Sequence, residues 1–236
     1  MTRGALWAGV ILAALLAGAG HSGGAAAQEE ITEPDSLAAR EEARFEAALQ
    51  HLQAGEAARA VHLFRTLAVS GHGAAQFNLA ILHARGVGVP LDTLEANYWA
   101  WRARLLGEDR AAALSTALLA ELPVAARNTL ADRLGRDLEA LAEAGVYAAF
   151  MARGRVEAEI RSPARLPEAA EWLIIASAFE VPLSRDLRDG LLRELTDAQR
   201  LGVEAAAREA FPNWCRRVPP ATRPASCHIP EREWDS

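Results

Sequence analysis

The chain has 236 residues, with 25 basic and 31 acidic side chains and a formal net charge of −6. Every basic side chain is an arginine and no lysine is present, which excludes a Walker-type phosphate lysine, a Schiff-base amine and a lysine general base. The acidic balance, without a long run of one sign, argues against a nucleic-acid partner, because phosphate backbones demand concentrated cationic charge.

The first residues read as an export signal. Arg3 supplies a positive start, residues 5–17 an apolar stretch, and "AAAQ" at 25–28 a small-residue cleavage site. Residues 1–27 are therefore expected to be a signal peptide cut after Ala27. The apolar stretch is too short to span a bilayer and no cysteine follows it for lipidation, so no stable membrane anchor is expected after cleavage. Residues 28–34 form a short flexible segment. The destination is periplasmic or secreted.

Residues 35–210 read as helix after helix, with no convincing strand alternation. "PDSLAAREEARFEAALQHLQAG" opens on Pro-Asp-Ser and ends at Gly55, a natural residue just past a helix end. "EAARAVHLFRTLAVSG" carries a helical stripe at Ala60, Val61, Phe64, Leu67 and Ala68 and stops at Gly71. "GAAQFNLAILHARG" stops at Gly86. "DTLEANYWAWRARLLG" begins with Asp92 and Glu95 in the relation of a capping box and stops at Gly107. Two more helices, split at Pro123, run to Gly145. The second half repeats this plan: with a shift of 73 positions and no gap, Glu95, Ala96, Trp99, Leu114, Leu118 and Leu122 recur as Glu168, Ala169, Trp172, Leu187, Leu191 and Leu195. A finer period of about 36 places Ala60, Leu63 and Gly71 where Ala96, Trp99 and Gly107 stand one unit later.

The glycine pair in "ARGVGVPLD" needs a decision between a phosphate cradle and a turn. A cradle requires an entering strand and usually a lysine or a distant acid. Here a helix enters, Pro90 stands where amide donors are wanted, and lysine is absent. The turn explains more: Gly86 ends one helix in a left-handed conformation, Gly88 lets the backbone reverse, and Asp92 caps the next helix.

Residues 73–107 resemble a Sel1-like repeat, a relative of the tetratricopeptide repeat, through Ala75, Leu79, Gly86, Gly88, Val89, Asp92, Ala96, Trp99, Ala103 and Gly107. The stretch departs from the family at Ala80, where glycine is usual, and at His83, where tyrosine is usual. A later unit keeps Ala169, Trp172 and Ala176 but not the glycine pair. The resemblance implies an all-α solenoid of antiparallel helix pairs. It also implies a scaffold or adaptor whose protein partner belongs, for exported members, to envelope regulation (membrane sensor proteins among them) or to cell-wall and secretion assemblies.

Trp99 and Trp172 share one repeat position and are expected in the core. Trp101 lies roughly 200° around the helix from Trp99, open between packing on a neighbouring helix and anchoring a partner. Gln76 and His83, two turns apart, with Asn78 on an adjoining face, are candidates for a concave contact surface. The histidine pairs His51/His62 and His72/His83 lack one-turn ligand spacing, so no metal is expected. Ser70, Ser115 and Ser177 lack elbow glycines, and the pairs Glu41/Glu42 and Asp186/Asp189 read as solvated faces. Neither a catalytic residue nor a cofactor is expected. Residues 211–236 form a tail in which Cys215 and Cys227 are expected to form a disulfide, as short-range pairs in exported proteins do; a metal site with His228 would want a fourth ligand. The function expected is a non-catalytic periplasmic interaction module. The alternative is a binder or cleaver of cell-wall glycan, marked by two facing carboxylates in a groove. A third option has the solenoid mainly supporting its own tail.

Overall fold

Helices separated by short turns fold back on one another, and each after the first packs on a neighbour that precedes it in the chain. The computed structural model describes residues 37–228, and the expected signal peptide (1–27) and the 28–34 segment lie outside the described residues. The helices are α1 (Leu37–Gln53), α2 (Ala57–Val69), α3 (Gly73–Arg85), α4 (Thr93–Leu105), α5 (Ala111–Ala120), α6 (Val124–Glu143), α7 (Ala148–Arg155), α8 (Leu166–Ala178), α9 (Ser184–Leu192) and α10 (Asp197–Arg217). A π-helical turn, Val156–Ile160, continues α7, and two 3₁₀ turns, Pro220–Thr222 and Ala225–His228, follow α10. No strand occurs among the described residues.

The sequence offsets reappear as element boundaries. α1 and α2 open at Leu37 and Ala57, α3 and α4 at Gly73 and Thr93, an offset of 36 residues in both cases. α4, α5 and α6 open at Thr93, Ala111 and Val124, and α8, α9 and α10 at Leu166, Ser184 and Asp197, an offset of 73 each time. The turns repeat too. Gly71 and Gly107 both have φ of 104°. The amides of Gly71 and His72 reach the carbonyls of Ala68 and Leu67, and those of Gly107 and Glu108 reach Arg104 and Ala103. This pair of bonds closes a helix end that would otherwise leave carbonyls unpaired.

Packing follows chain order from α1 to α5, each helix against the one before. α6 then returns to α4 and carries α7, while α8 receives α7, α9 and α10. The result is an α-solenoid of stacked antiparallel helix pairs. Alanine at Ala75, Ala96, Ala103, Ala169 and Ala176, all fully buried, lets neighbouring helices approach closely, and Phe64, Leu79, Trp101, Leu134 and Phe150 fill the space between.

The C-terminal end holds an aromatic cluster. Phe150 lies 4.7 Å from Phe179 and 4.9 Å from Trp214 between ring centroids, Trp172 lies 5.4 Å from Trp214, and Phe179 lies 5.0 Å from Phe211. The expected boundary between residues 210 and 211 therefore falls inside a helix: α10 continues to Arg217 because Phe211, Trp214 and Cys215 belong to the core. The disulfide joins Cys215 to Cys227 and ties the 3₁₀ turns to α10. The Tyr147 hydroxyl donates to the Thr222 carbonyl at 2.5 Å, so the tail also rests on the turn between α6 and α7.

Candidate interaction surface

Gly86 and Gly88 have φ of 64° and 73°, conformations that a side chain rarely adopts. Gly88 carries a second constraint, since a Cβ there would lie 2.5 Å from the backbone carbon of Ala57 at the start of α2. Asp92 Oδ1 accepts from the amides of Leu94 and Glu95 at 3.0 and 2.9 Å. The reciprocal half of the expected capping box is missing, however. The Asp92 amide donates to the His83 carbonyl at 3.1 Å, which frees the Glu95 carboxylate to accept from Trp99 Nε1 and to pair with Arg133 on α6.

The expected contact surface is mostly interior. Gln76, His83 and Trp101 are 0%, 4% and 2% exposed; none of the three faces solvent. Asn78 is half-buried, and its amide donates to the Ala74 carbonyl of its own helix at 2.9 Å. The physical reason is coverage on several sides. α4 is packed by α3, α5, α6 and α7, so it has no outward face for Trp101, and the guanidinium of Arg104 lies 4.7 Å from the Trp101 ring centroid. Gln76 Nε2 and Arg102 Nη1 both donate to the Ala68 carbonyl at 2.9 Å, satisfying the C-terminus of α2 from α3 and α4. Burial holds the His83 imidazole below its ordinary pKa, hence neutral near pH 7. Trp99 is buried, whereas Trp172 is half-buried, because its ring sits at the edge of the aromatic cluster.

Two charged joints connect the units. In the first, the Arg133 guanidinium lies 3.6 Å from the Tyr98 ring centroid, and the Tyr98 hydroxyl donates to Asp137 at 2.5 Å. Burial, reinforced by that bond to Asp137, pushes the Tyr98 pKa up to about 12, so it remains a hydrogen-bond donor at neutral pH. In the second joint, Glu157 on the π turn is 2% exposed and pairs with Arg153 and Arg161, while Arg153 also reaches Glu139 at 2.9 Å and Arg161 reaches Asp132 at 2.6 Å. Burial alone would raise the Glu157 pKa, but the bonds from Arg161 and Arg153 outweigh it and hold the carboxyl below its usual range. At the 73-residue offset this joint replaces the glycine turn, with Glu159 and Arg161 standing for Gly86 and Gly88. A backbone link remains but is displaced by one residue: Val156 is the counterpart of His83, whereas the Arg165 amide donates to the Glu157 carbonyl at 3.0 Å. Sequence reasoning missed this joint, although Arg153, Glu157 and Arg161 recur at one-turn spacing, the signature of helical ion pairs.

Grooves open on the surface of the described residues. His51 and His62 line one of about 410 Å³, where His51 bonds Glu56 at 2.6 Å. A second, of about 290 Å³, lies between the π turn and α9, with Glu159 on one wall and Asp186 and Glu194 on the other. A third, of about 410 Å³, lies between α8 and α10 and is lined mainly by apolar side chains. Among the described residues no group of three or more His, Cys, Asp or Glu side chains is placed to hold a metal ion. No helix among them is long and apolar enough to cross a membrane.

The fold defines the class of protein: a helical-repeat solenoid, with the Sel1-like stretch 73–107 folded as a helix, a glycine turn and a capped second helix. No family model matches the chain, and no curated protein matches it. Among solved structures it is similar to a protective antigen present in uropathogenic Escherichia coli strains and displaying an SLR fold, at 20% identity and a TM-score of 0.32. The likeness covers 77% of this chain and 47% of that one, so this chain spans about half the length of its neighbour.

Proposed function

We propose that the chain is a non-catalytic scaffold or adaptor of the periplasm that binds a protein partner, in envelope regulation or assembly, through its helical-repeat surface. The observation that carries this reading is the division of labour among its side chains. Polar groups are committed to joints between units, such as Glu95 with Arg133 and Glu157 with Arg153 and Arg161. Large apolar side chains, by contrast, stand exposed in both halves of the chain, with Leu91, Val124, Leu183 and Leu201 at 66%, 55%, 71% and 65%, the kind of surface an interaction module offers a partner. The disulfide supports an oxidising compartment. Crosslinking in envelopes of the native host, followed by mass spectrometry, tests the reading. A specific protein lost on Leu183→Asp/Leu187→Asp substitution is the expected result; repeated recovery of no specific protein overturns it.

The glycan alternative draws support from the carboxylates facing each other across the groove at α9. Glu159 is already paired with Arg155 and Arg104, at 2.6 and 3.3 Å, which makes this the weaker reading. Sedimentation with purified peptidoglycan, followed by product analysis, decides between the two.

A further inference from the structure

Gly190 is a glycine that the fold of α9 does not require. Its backbone is helical, and an added Cβ would meet only the guanidinium of Arg193, at 3.9 Å. Glycine weakens a helix interior relative to alanine, and α5 has Ala117 at the corresponding position 73 residues earlier. What Gly190 does supply is space. It lines the groove of about 290 Å³ against the π turn, together with Leu173, Leu187 and Leu191, and Leu187 remains 41% exposed. Asp186 and Glu194, four residues to either side of Gly190, line the same groove. That spacing places their Cα atoms roughly 12 Å apart along the helix. Both side chains are exposed, and neither makes an ion pair with another described residue. Arg155, on the opposite wall, is held by Glu159 at 2.6 Å. The acid and the space are particular to the second unit, since α5 has Ala113 where α9 has Asp186.

We propose that this groove binds an extended segment of a partner protein in which an apolar side chain is flanked, two residues to either side, by arginine or lysine. The inference rests on the scaffold reading and names the partner's chemistry at this surface. A helix, about 10–12 Å across with its side chains, is too large to enter a groove of this volume. In an extended segment every second side chain faces the same way, and residues four apart lie about 13 Å from each other. That matches the separation of Asp186 and Glu194. The middle side chain enters the space over Gly190 and meets Leu173, Leu187 and Leu191, while the two cations meet the unpaired carboxylates. Charge also disfavours the chain's own ends as occupants. Residues 28–36 hold Glu29, Glu30, Glu33 and Asp35 and no basic residue, and residues 229–236 hold Glu231, Glu233 and Asp235 against Arg232. Both would meet like charge here.

The probe is a fluorescent peptide, Gly-Arg-Ser-Leu-Ser-Arg-Gly, titrated by anisotropy against the chain beginning at Gln28. Saturable binding is expected, weakened about fivefold by Asp186→Asn and about fivefold by Glu194→Gln, the scale of one exposed ion pair each. Gly190→Leu fills the space and strengthens the helix, so it is expected to abolish binding with circular dichroism unchanged. Absence of saturable binding, or an unchanged affinity in the Asp186→Asn/Glu194→Gln protein, overturns the proposal. So does equal binding of the peptide with glutamate in place of both arginines. Soluble peptidoglycan fragments that displace the peptide, and whose own binding is lost in Gly190→Leu, overturn it in favour of glycan. Self-association lost in Gly190→Leu overturns it in favour of a second copy. An envelope partner captured undiminished by Gly190→Leu overturns this groove while leaving the scaffold reading intact, whereas recovery of no specific partner overturns both.

Discussion

Glu180 stands at the repeat position occupied by Gly107, and exchanging the two residue types measures how much backbone geometry governs this array. Both residues end a helix with the same bonds: the Glu180 amide reaches Ser177 and the Val181 amide reaches Ala176, as Gly107 and Glu108 reach Arg104 and Ala103. Glu180 nevertheless has φ of 59°, in the left-handed region. A residue with a Cβ gives up about 1–2 kcal/mol in that conformation. Glycine removes this cost but loses about 0.5–1 kcal/mol more backbone freedom on folding. Glu180→Gly should therefore stabilise the fold by about 0.5–1 kcal/mol, raising the melting midpoint by about 1–4 °C for a domain of this size. The Glu180 side chain is exposed and makes no hydrogen bond or ion pair with another described residue, so little else is lost. In the opposite direction, Gly107→Ala should cost about 1 kcal/mol, although nothing lies within 4 Å of the added Cβ. Urea titration followed by far-ultraviolet circular dichroism reads both, as shifts in midpoint at constant slope. A lowered midpoint in Glu180→Gly together with an unchanged one in Gly107→Ala would refute the reasoning.

Gly88→Ala adds a steric clash with the Ala57 backbone to a positive φ, and a loss of about 2–5 kcal/mol is expected in the same titration. Glu157→Ala removes the buried carboxylate that Arg153 and Arg161 share and leaves them only Glu139 and Asp132, which should cost about 2–3 kcal/mol; a change below 1 kcal/mol would mean the triad is not a structural joint. Because the folded-state pKa of Glu157 is lowered, its stabilisation is complete above the ordinary carboxylate range and disappears as pH falls through the folded value. Glu157→Gln should flatten the acid limb of the stability curve accordingly. His83 works through the neutral form: its pKa is lowered by burial, so stability falls as pH drops below about 6.5, where the unfolded chain takes up the proton first. His83→Gln should remove that slope. Replacing both Cys215 and Cys227 by serine opens a loop with a sequence separation of 12, for an expected loss of about 3 kcal/mol in the chain-entropy model, read by thermal melting.

Much of the architecture was legible because it is written in local rules. Gly55, Gly71, Gly86 and Gly107 end helices by supplying positive φ, and Asp92 starts one by accepting from two amides. Register survived as well, since the shift of 73 residues matches the starts of α4, α5 and α6 to those of α8, α9 and α10. The contact surface was not legible. Gln76 and His83 read as outward residues, and Trp101 as open between packing and a partner, because a single helix shows only its own polar and apolar faces. Which faces are outward depends on how many neighbours a helix has.

The sequence alone determined where the helices from α1 to α4 end and that the plan recurs 73 residues on, because capping, positive φ and apolar periodicity act over one or two turns of chain. Only the tertiary structure decided that α4 is enclosed on several sides, that Glu95 serves Arg133 and Trp99 instead of its own helix start, and that α10 carries the aromatic core beyond residue 210. These outcomes depend on partners dozens of residues away in the chain, and burial is a property of the whole stack.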